Sequence, residues 1–463
     1  MHIAPIILHR PAQGWRARLA RLGDALARHR GRLQALQWGV VAVYALLLVL
    51  PACLPLPQTG QTLFNNLTLA AQFVFWGMWW PGVILATLLF GRVWCGLLCP
   101  EGMLSELASR HGRGAAIPRW LRWRGWPVLA FVATTVYGQL ISVYEYPKAA
   151  LLVLGGSTVA AVAVGLLWGR GKRVWCRYLC PVSGVFALLA RLSPLHYRVD
   201  RQAWDAYPQR ASAVDCAPLL SVKQLNSASQ CHACGRCSGH RDAVTLSARS
   251  PEAEIVHSTP REAGRSEALL LVWGLLGVAV AAFQWSASPW FVAWRQALAG
   301  WAAERELWAL LDNNAPWWLL THYPEAGDSF IWLDGLLIPA YIAAVTLLLG
   351  GCLQAALWAA ARLTRQAWPV LALALVPLGA ACLLAGLSML TQTQLRAEGL
   401  LFPLADSLRL LALGAAALWS LRLLGRQLTL AGQRGWRLAG ALALVALGLA
   451  PVLAAWTLQL RHW

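Results

Sequence analysis

"LLFGRVWCGLLCPEGMLSELASR", residues 88–110, decides the fold because the chain carries its pattern twice. The counterpart "LLWGRGKRVWCRYLCPVSGVFALLAR" fills residues 166–191. Both run from an apolar end through Gly-Arg to Trp-Cys, a three-residue gap, Cys-Pro and a short amphipathic stretch ending in Arg. Two apolar runs separate the copies. An even number of membrane crossings returns the chain to the same face. The repeat therefore brings Cys95, Cys99, Cys176 and Cys180 to one membrane surface.

A membrane is the setting the composition demands. Of 463 residues, 58% are hydrophobic and 13% charged, whereas a soluble domain is about a quarter charged. Several apolar runs reach the ~20 residues a helix needs to cross a bilayer, and they are too long for the alternating strands of a barrel. The expectation is an all-α polytopic membrane protein with about nine transmembrane helices and a small loop-rich cytoplasmic insert. The spans fall near 36–55, 68–90, 126–145, 149–168, 267–287, 334–358, 369–391, 402–424 and 437–459. The chain divides into a basic segment (1–35), a four-helix repeat (36–190), a polar segment (191–265) and a five-helix membrane domain (266–463). The last contains an external loop, 288–333, rich in Trp, which reads as interfacial helices.

The chain holds 39 Lys and Arg against 20 Asp and Glu. These cations cluster beside spans rather than in a nucleic-acid stripe. Arg10, Arg16, Arg18, Arg21, Arg28, Arg30 and Arg32 precede the first span, six more arginines lie in 91–125, and Arg170, Lys172, Arg173 and Arg177 follow the fourth span. Every second connection is basic, which places the N-terminus and both cysteine pairs on the cytoplasmic side of a bacterial inner membrane and the C-terminus outside. The partners implied are membrane lipid, with no nucleic acid. The long basic lead and the spanning length of the first apolar run argue against a cleaved signal peptide.

Eleven cysteines divide into two groups. Cys53, Cys352 and Cys382 stand alone in or beside spans and read as small packing residues. Cys95, Cys99, Cys176, Cys180, Cys216, Cys231, Cys234 and Cys237 all fall on the expected cytoplasmic side, where thiols stay reduced and metal ligation is their natural use. "CHACGRC", residues 231–237, spaces three cysteines as a bacterial ferredoxin spaces its first three cluster ligands. Arg241 and Asp242 stand where that pattern continues with Cys-Pro. The missing ligand is assigned to Cys216, with His240 and His232 as alternatives. A structural zinc tetrahedron is the plain rival for this set, and surface turns are the plain rival for the Cys-x3-Cys-Pro pairs. The functional reading has Cys95, Cys99, Cys176 and Cys180 converge on a second cubane, with Arg92, Lys172, Arg173 and Arg177 either offsetting its negative charge or serving as positive-inside anchors.

With those motifs in hand, the chain resembles polyferredoxin-type membrane iron–sulfur proteins of the NapH, NosR and CcoG kind over roughly residues 36–250. The resemblance implies two [4Fe–4S] clusters held by the eight cysteines named above. It also implies an electron-transfer subunit rather than a stand-alone enzyme. Such a subunit passes electrons between the quinone pool or a cytoplasmic donor and a redox partner subunit or periplasmic reductase system. The alternatives are a copper-reducing maturation factor and a non-redox zinc-bearing scaffold. The last five spans have no counterpart in the resemblance.

Other chemistry is excluded or unsupported. All ten histidines, including His2, His9, His196, His257 and His462, lie outside the expected spans, so haem with two His ligands in the bundle is not expected. No glycine-rich nucleotide motif is present. Ionisable residues deep in spans are scarce, against a coupled transporter. Asp406 and Arg409 are expected to pair locally. His322, Tyr323, Glu325 and Asp328, in "THYPEAGDSF", read as a polar turn. No internal wire to the outer face is evident, and a quinone site is expected near the Trp-rich interface.

Overall fold

A computed structural model describes residues 14–58, 60–260 and 262–463. Arg10, His2, His9 and the start of the basic 1–35 segment lie outside the described residues. The protein is an all-α polytopic membrane protein. Among the described residues, eight helices are long and apolar enough to cross a bilayer: Arg30–Cys53, Leu67–Phe90, Pro147–Trp168, Arg265–Ala287, Trp332–Thr364, Val376–Ala397, Ala405–Leu430 and Gly435–Arg461.

The third expected span, at 126–145, is the departure. Its helix, Trp126–Leu140, has 15 residues, which at 1.5 Å per residue is about 22 Å, short of the ~30 Å hydrocarbon thickness. The chain turns at Ser142, where φ is +50°. The long loop covers that end: the Thr321 amide donates to Leu140 O at 2.8 Å, and Ser142 and Thr321 share a hydroxyl hydrogen bond of 2.7 Å. The loop thereby replaces the last turns of the helix. The seventh expected span is also broken, into Trp368–Leu373 and Val376–Ala397. Pro377 at the start of the second piece has no N–H with which to continue the first.

Arg265–Ala287 is the central post. Of its most apolar window 72% is buried, against 22% for Arg30–Cys53. Gly277 and Gly350 let Thr346 and the Trp273 ring approach it and its neighbour, because a Cβ at either would sit within 2.9 Å of them.

The two halves of the repeat are drawn together by a seam of small residues. Gly165 and Gly169, on and just after Pro147–Trp168, face Ser105 and Ser109 on helix Pro100–Arg110. A Cβ at Gly165 would lie 2.5 Å from Ser105 O, and one at Gly169 2.1 Å from Ser109 Cβ. Close backbone approach of this kind is how membrane helices gain packing energy without a hydrophobic driving force.

Residues 191–265 fold on the cysteine-bearing end of the bundle. Strand β1 (Leu195–Val199) pairs antiparallel with β2 (Val244–Ala248), with Tyr197 opposite Leu246. Helix Trp15–Arg28 lies against them, with Gly23 on Leu246 and Ser238. Arg191, fully buried, anchors the segment through Glu254 at 3.1 Å and Glu267 at 2.6 Å.

In the outer loop, helix Pro289–Glu304 exposes Trp290, Trp294 and Trp301, as an interfacial helix does. "THYPEAGDSF" makes a two-residue hairpin. Tyr323 stacks on Tyr146 at 3.6 Å between ring centres, and the Tyr146 hydroxyl donates to Asp328 at 2.7 Å. This is a polar turn tied to the bundle. Asp406 and Arg409 pair at 2.5 Å.

Candidate metal centre

Each Cys-x3-Cys-Pro motif closes the same local ring. The Cys99 amide donates to Trp94 O at 2.8 Å, and the Cys180 amide to Trp175 O at 3.0 Å. In the first motif Trp94–Leu98 forms a wide π turn, a feature frequent at functional sites. Cys99 then caps helix Pro100–Arg110, its Sγ accepting from the Gly102 amide at 3.4 Å, with Pro100 at the first helical position. A helix N-terminus favours a thiolate or an anionic cluster there.

Cys95, Cys99, Cys176 and Cys180 line one cavity of about 240 Å³. Burial pushes the Cys176 thiol up to about 12 in spite of the nearby Arg173 guanidinium, and burial and the neighbouring thiolates raise Cys99 and Cys180 as well. Burial disfavours thiolates at Cys99, Cys176 and Cys180 unless cations replace their protons. Beyond the cysteines the wall continues into the bundle as Tyr44, Phe75, Trp76, Trp79, Trp80 and Tyr144.

Cys216, Cys231, Cys234 and Cys237 line a second pocket beside Tyr197. The loop is wound by Ala233 at φ +49° and Gly235 at φ +76°. Burial raises the thiols of Cys216, Cys231 (to about 12) and Cys237. Of the proposed fourth ligands, the structure puts Cys216 in this pocket. His240 packs on the Trp204 ring, and His232 turns its carbonyl toward Gly96, so neither lines the pocket.

Two of these arginines are not headgroup anchors. Arg92 and Arg173, each three residues before the first cysteine of its motif, are 4% and 1% exposed. Arg92 donates to Ser229 O at 2.9 Å and to Ser183 Oγ at 2.7 Å, and Ser183 donates to Cys176 O at 2.8 Å. Arg173 donates to Cys95 O and to Gly96 O, and its amide to Ala217 O at 2.8 Å. Its Nε donates to Glu106 at 2.9 Å, and Arg236 donates to both Glu106 oxygens at 2.7 Å. Lys172 pairs with Asp215, beside Cys216, at 2.7 Å. Glu106, Asp215 and Ser183 carried no signal in the sequence. The identical "RVWC" in both halves was the one available hint that Arg92 and Arg173 play matching parts.

The donors left over test whether clusters fit. Among the described residues, Tyr197 Oη and Arg92 Nε are buried beside the two quartets with no hydrogen-bond partner. Unpaired buried donors are costly, and the sulfides of an anionic cluster are the acceptors such positions want. The residues present fit the group.

Residues 72–124 and 151–199, the two halves of the repeat, match the family described as "4Fe-4S binding domain". The chain is 27% identical over 179 residues to YccM of Escherichia coli, a protein with an electron-transport designation, covering 33% of this chain and 50% of YccM. It is 26% identical over 178 residues to the regulatory protein NosR of Pseudomonas aeruginosa, 34% of this chain and 25% of NosR. It is 34% identical over 132 residues to the protein NirI of Paracoccus denitrificans, 24% of this chain and 19% of NirI. The chain thus spans half or less of the length of these relatives. No solved structure matches it. The two-part match and these relatives make the chain similar to ferredoxin-type membrane electron-transport proteins of the NosR kind.

Proposed function

We propose that the chain is an electron-transfer subunit of the bacterial inner membrane with two [4Fe–4S] clusters on the cytoplasmic face. Cys95, Cys99, Cys176 and Cys180 hold one, and Cys216, Cys231, Cys234 and Cys237 hold the other. Each cluster, when bound, supplies a one-electron couple. The subunit passes single electrons between the quinone pool or a cytoplasmic donor and a partner reductase.

The observation that carries this reading is the gathering of eight cysteines into two lined pockets, ringed by unpaired buried donors. A zinc scaffold is less well supported. Three cysteines at successive three-residue spacing in "CHACGRC" follow the cluster pattern rather than the two separated knuckles of a zinc ribbon. Arg92 and Arg173 offset the negative charge that electrons add. The basic connection between the first motif and Trp126–Leu140, with Arg113, Arg119, Arg122 and Arg124, supports the cytoplasmic placement. The aromatic wall of the first cavity supports a quinone, since it sets flat apolar rings beside the first quartet. It is a better place for one than the outer Trp-rich loop.

The test is iron content and electron paramagnetic resonance after dithionite reduction, in anaerobic protein with both Cys176→Ala and Cys180→Ala. Loss of about half the iron supports the reading, one cubane holding four irons. Unchanged iron and an unchanged spectrum would contradict it.

A further inference from the structure

Position 96 has room for hydrogen alone. A Cβ there would lie 2.1 Å from His232 O and 2.9 Å from the Cys234 Cα and N. Gly96 sits in the helical turn Trp94–Leu98 and is not among the positive-φ residues. Glycine is therefore required by the approach of another backbone, not by its own conformation. The turn after Cys95 touches the turn at Cys234 main chain to main chain.

Two buried clamps hold that contact, one from each half of the repeat. Arg173 grips Cys95 O and Gly96 O with one nitrogen and Glu106 with another, while Glu106 accepts Arg236, two residues beyond Cys234. Arg92 reaches from the first motif to Ser229 O, two residues before Cys231, and through Ser183 to Cys176 O. What they fix is the position of one cysteine quartet against the other.

Resting on the reading that each quartet holds a cluster, the geometry points to the Gly96–Cys234 contact as the electron-transfer junction of the protein, with Arg92 and Arg173 as positioning residues. With both sites occupied, one electron would pass from the reduced site to the oxidised one, the Cys95–Gly96 and Cys234 backbones lying between them. No bond forms or breaks and no proton moves. The reductant is the quinol or cytoplasmic donor proposed above, and dithionite in the test. The two sites fill as a coupled pair.

The experiment is a stepwise dithionite titration of the full-length, anaerobically purified chain. Electron paramagnetic resonance and iron content are measured on the same samples. The expected result is a simple reduced-cluster signal at one electron per chain, and broadening or splitting by spin–spin interaction at two. With about eight irons, from two four-iron clusters, an unsplit signal at full reduction would overturn the junction and leave the clusters standing. Four irons or fewer would overturn the two-cluster reading instead. In Gly96→Ala the two turns are expected to part and, in the protein that retains its iron, the splitting to weaken or vanish; unchanged splitting would remove Gly96 from the path. Should that variant lose iron, Arg173→Lys carries the same test: the charge remains, the fork is lost, and the splitting is expected to fall.

Discussion

Glu106 and Arg173 meet 2.9 Å apart with side chains 5% and 2% exposed, an ion pair sealed between the two cysteine quartets. Arg236 closes on the same carboxylate at 2.7 Å and Arg110 at 3.3 Å. One acid therefore organises cations from three separate parts of the sequence. Removing one partner of a buried pair costs about 3–5 kcal/mol, because the other charge is left without compensation. Glu106→Leu is expected to lower thermal stability accordingly and to release iron. Combining it with Arg173→Met should cost less than the sum of the two single changes. Thermal unfolding of the four proteins in one detergent measures this, and strict additivity would dissolve the pair.

The same carboxylate sets an acid limit. Burial alone would raise its pKa, but the Arg173 and Arg236 charges outweigh burial and hold it below the ordinary 4.5. A depressed carboxylate contributes stability that is fully present above the unfolded value and is lost as the pH falls through the folded one. Stability should therefore hold down to about pH 4.5 and then decline. Glu106→Gln should start lower and show a shallower acid decline. Unfolding midpoints measured against pH distinguish the two curves.

The seam between the repeat halves gives a steric prediction. Gly169→Val drives its side chain into Ser109, where even a Cβ would lie 2.1 Å away. Backbone separation there moves helix Pro100–Arg110, and Cys99 with it. The expected outcome is loss of the first cluster's irons, about half the total. Valine at Gly171, which has open space around it but a positive φ, should strain one turn and spare the iron. Equal iron loss in both variants would mean general misfolding rather than a seam.

The fourth ligand of the second site is testable by one comparison. Cys216→Ser is expected to remove about half the iron, and His240→Ala none, because its ring lies against Trp204 rather than in the pocket. Iron analysis of the two variants decides between them.

How much of this was readable in advance follows from the range of each signal. Spans are local, so eight emerged with ends up to seven residues from those expected, one of them broken ahead of Pro377. Trp126–Leu140 was overextended because its end is set by Thr321, 181 residues away. The gathering of the cysteines was legible because the Cys-x3-Cys-Pro motif is repeated and "CHACGRC" fixes spacing, although the crossing parity behind that reading counts Trp126–Leu140, which is too short to span by itself. The clamps were not. Arg92 and Arg173 look like any cation beside a span, and only burial tells a clamp from an anchor. Glu106 is one acid in an amphipathic helix. Gly96 carries no sign of the carbonyl that forbids a side chain there. The helix Trp15–Arg28, read as a basic lead, is the cover of the second site, with Leu26 against Gly235.

The central claim is that the eight cysteines hold two iron–sulfur cubanes. Iron, acid-labile sulfide and zinc should be counted on protein purified without oxygen. About eight irons, a matching amount of sulfide and no zinc are predicted. Stoichiometric zinc with no iron would contradict the account at its base.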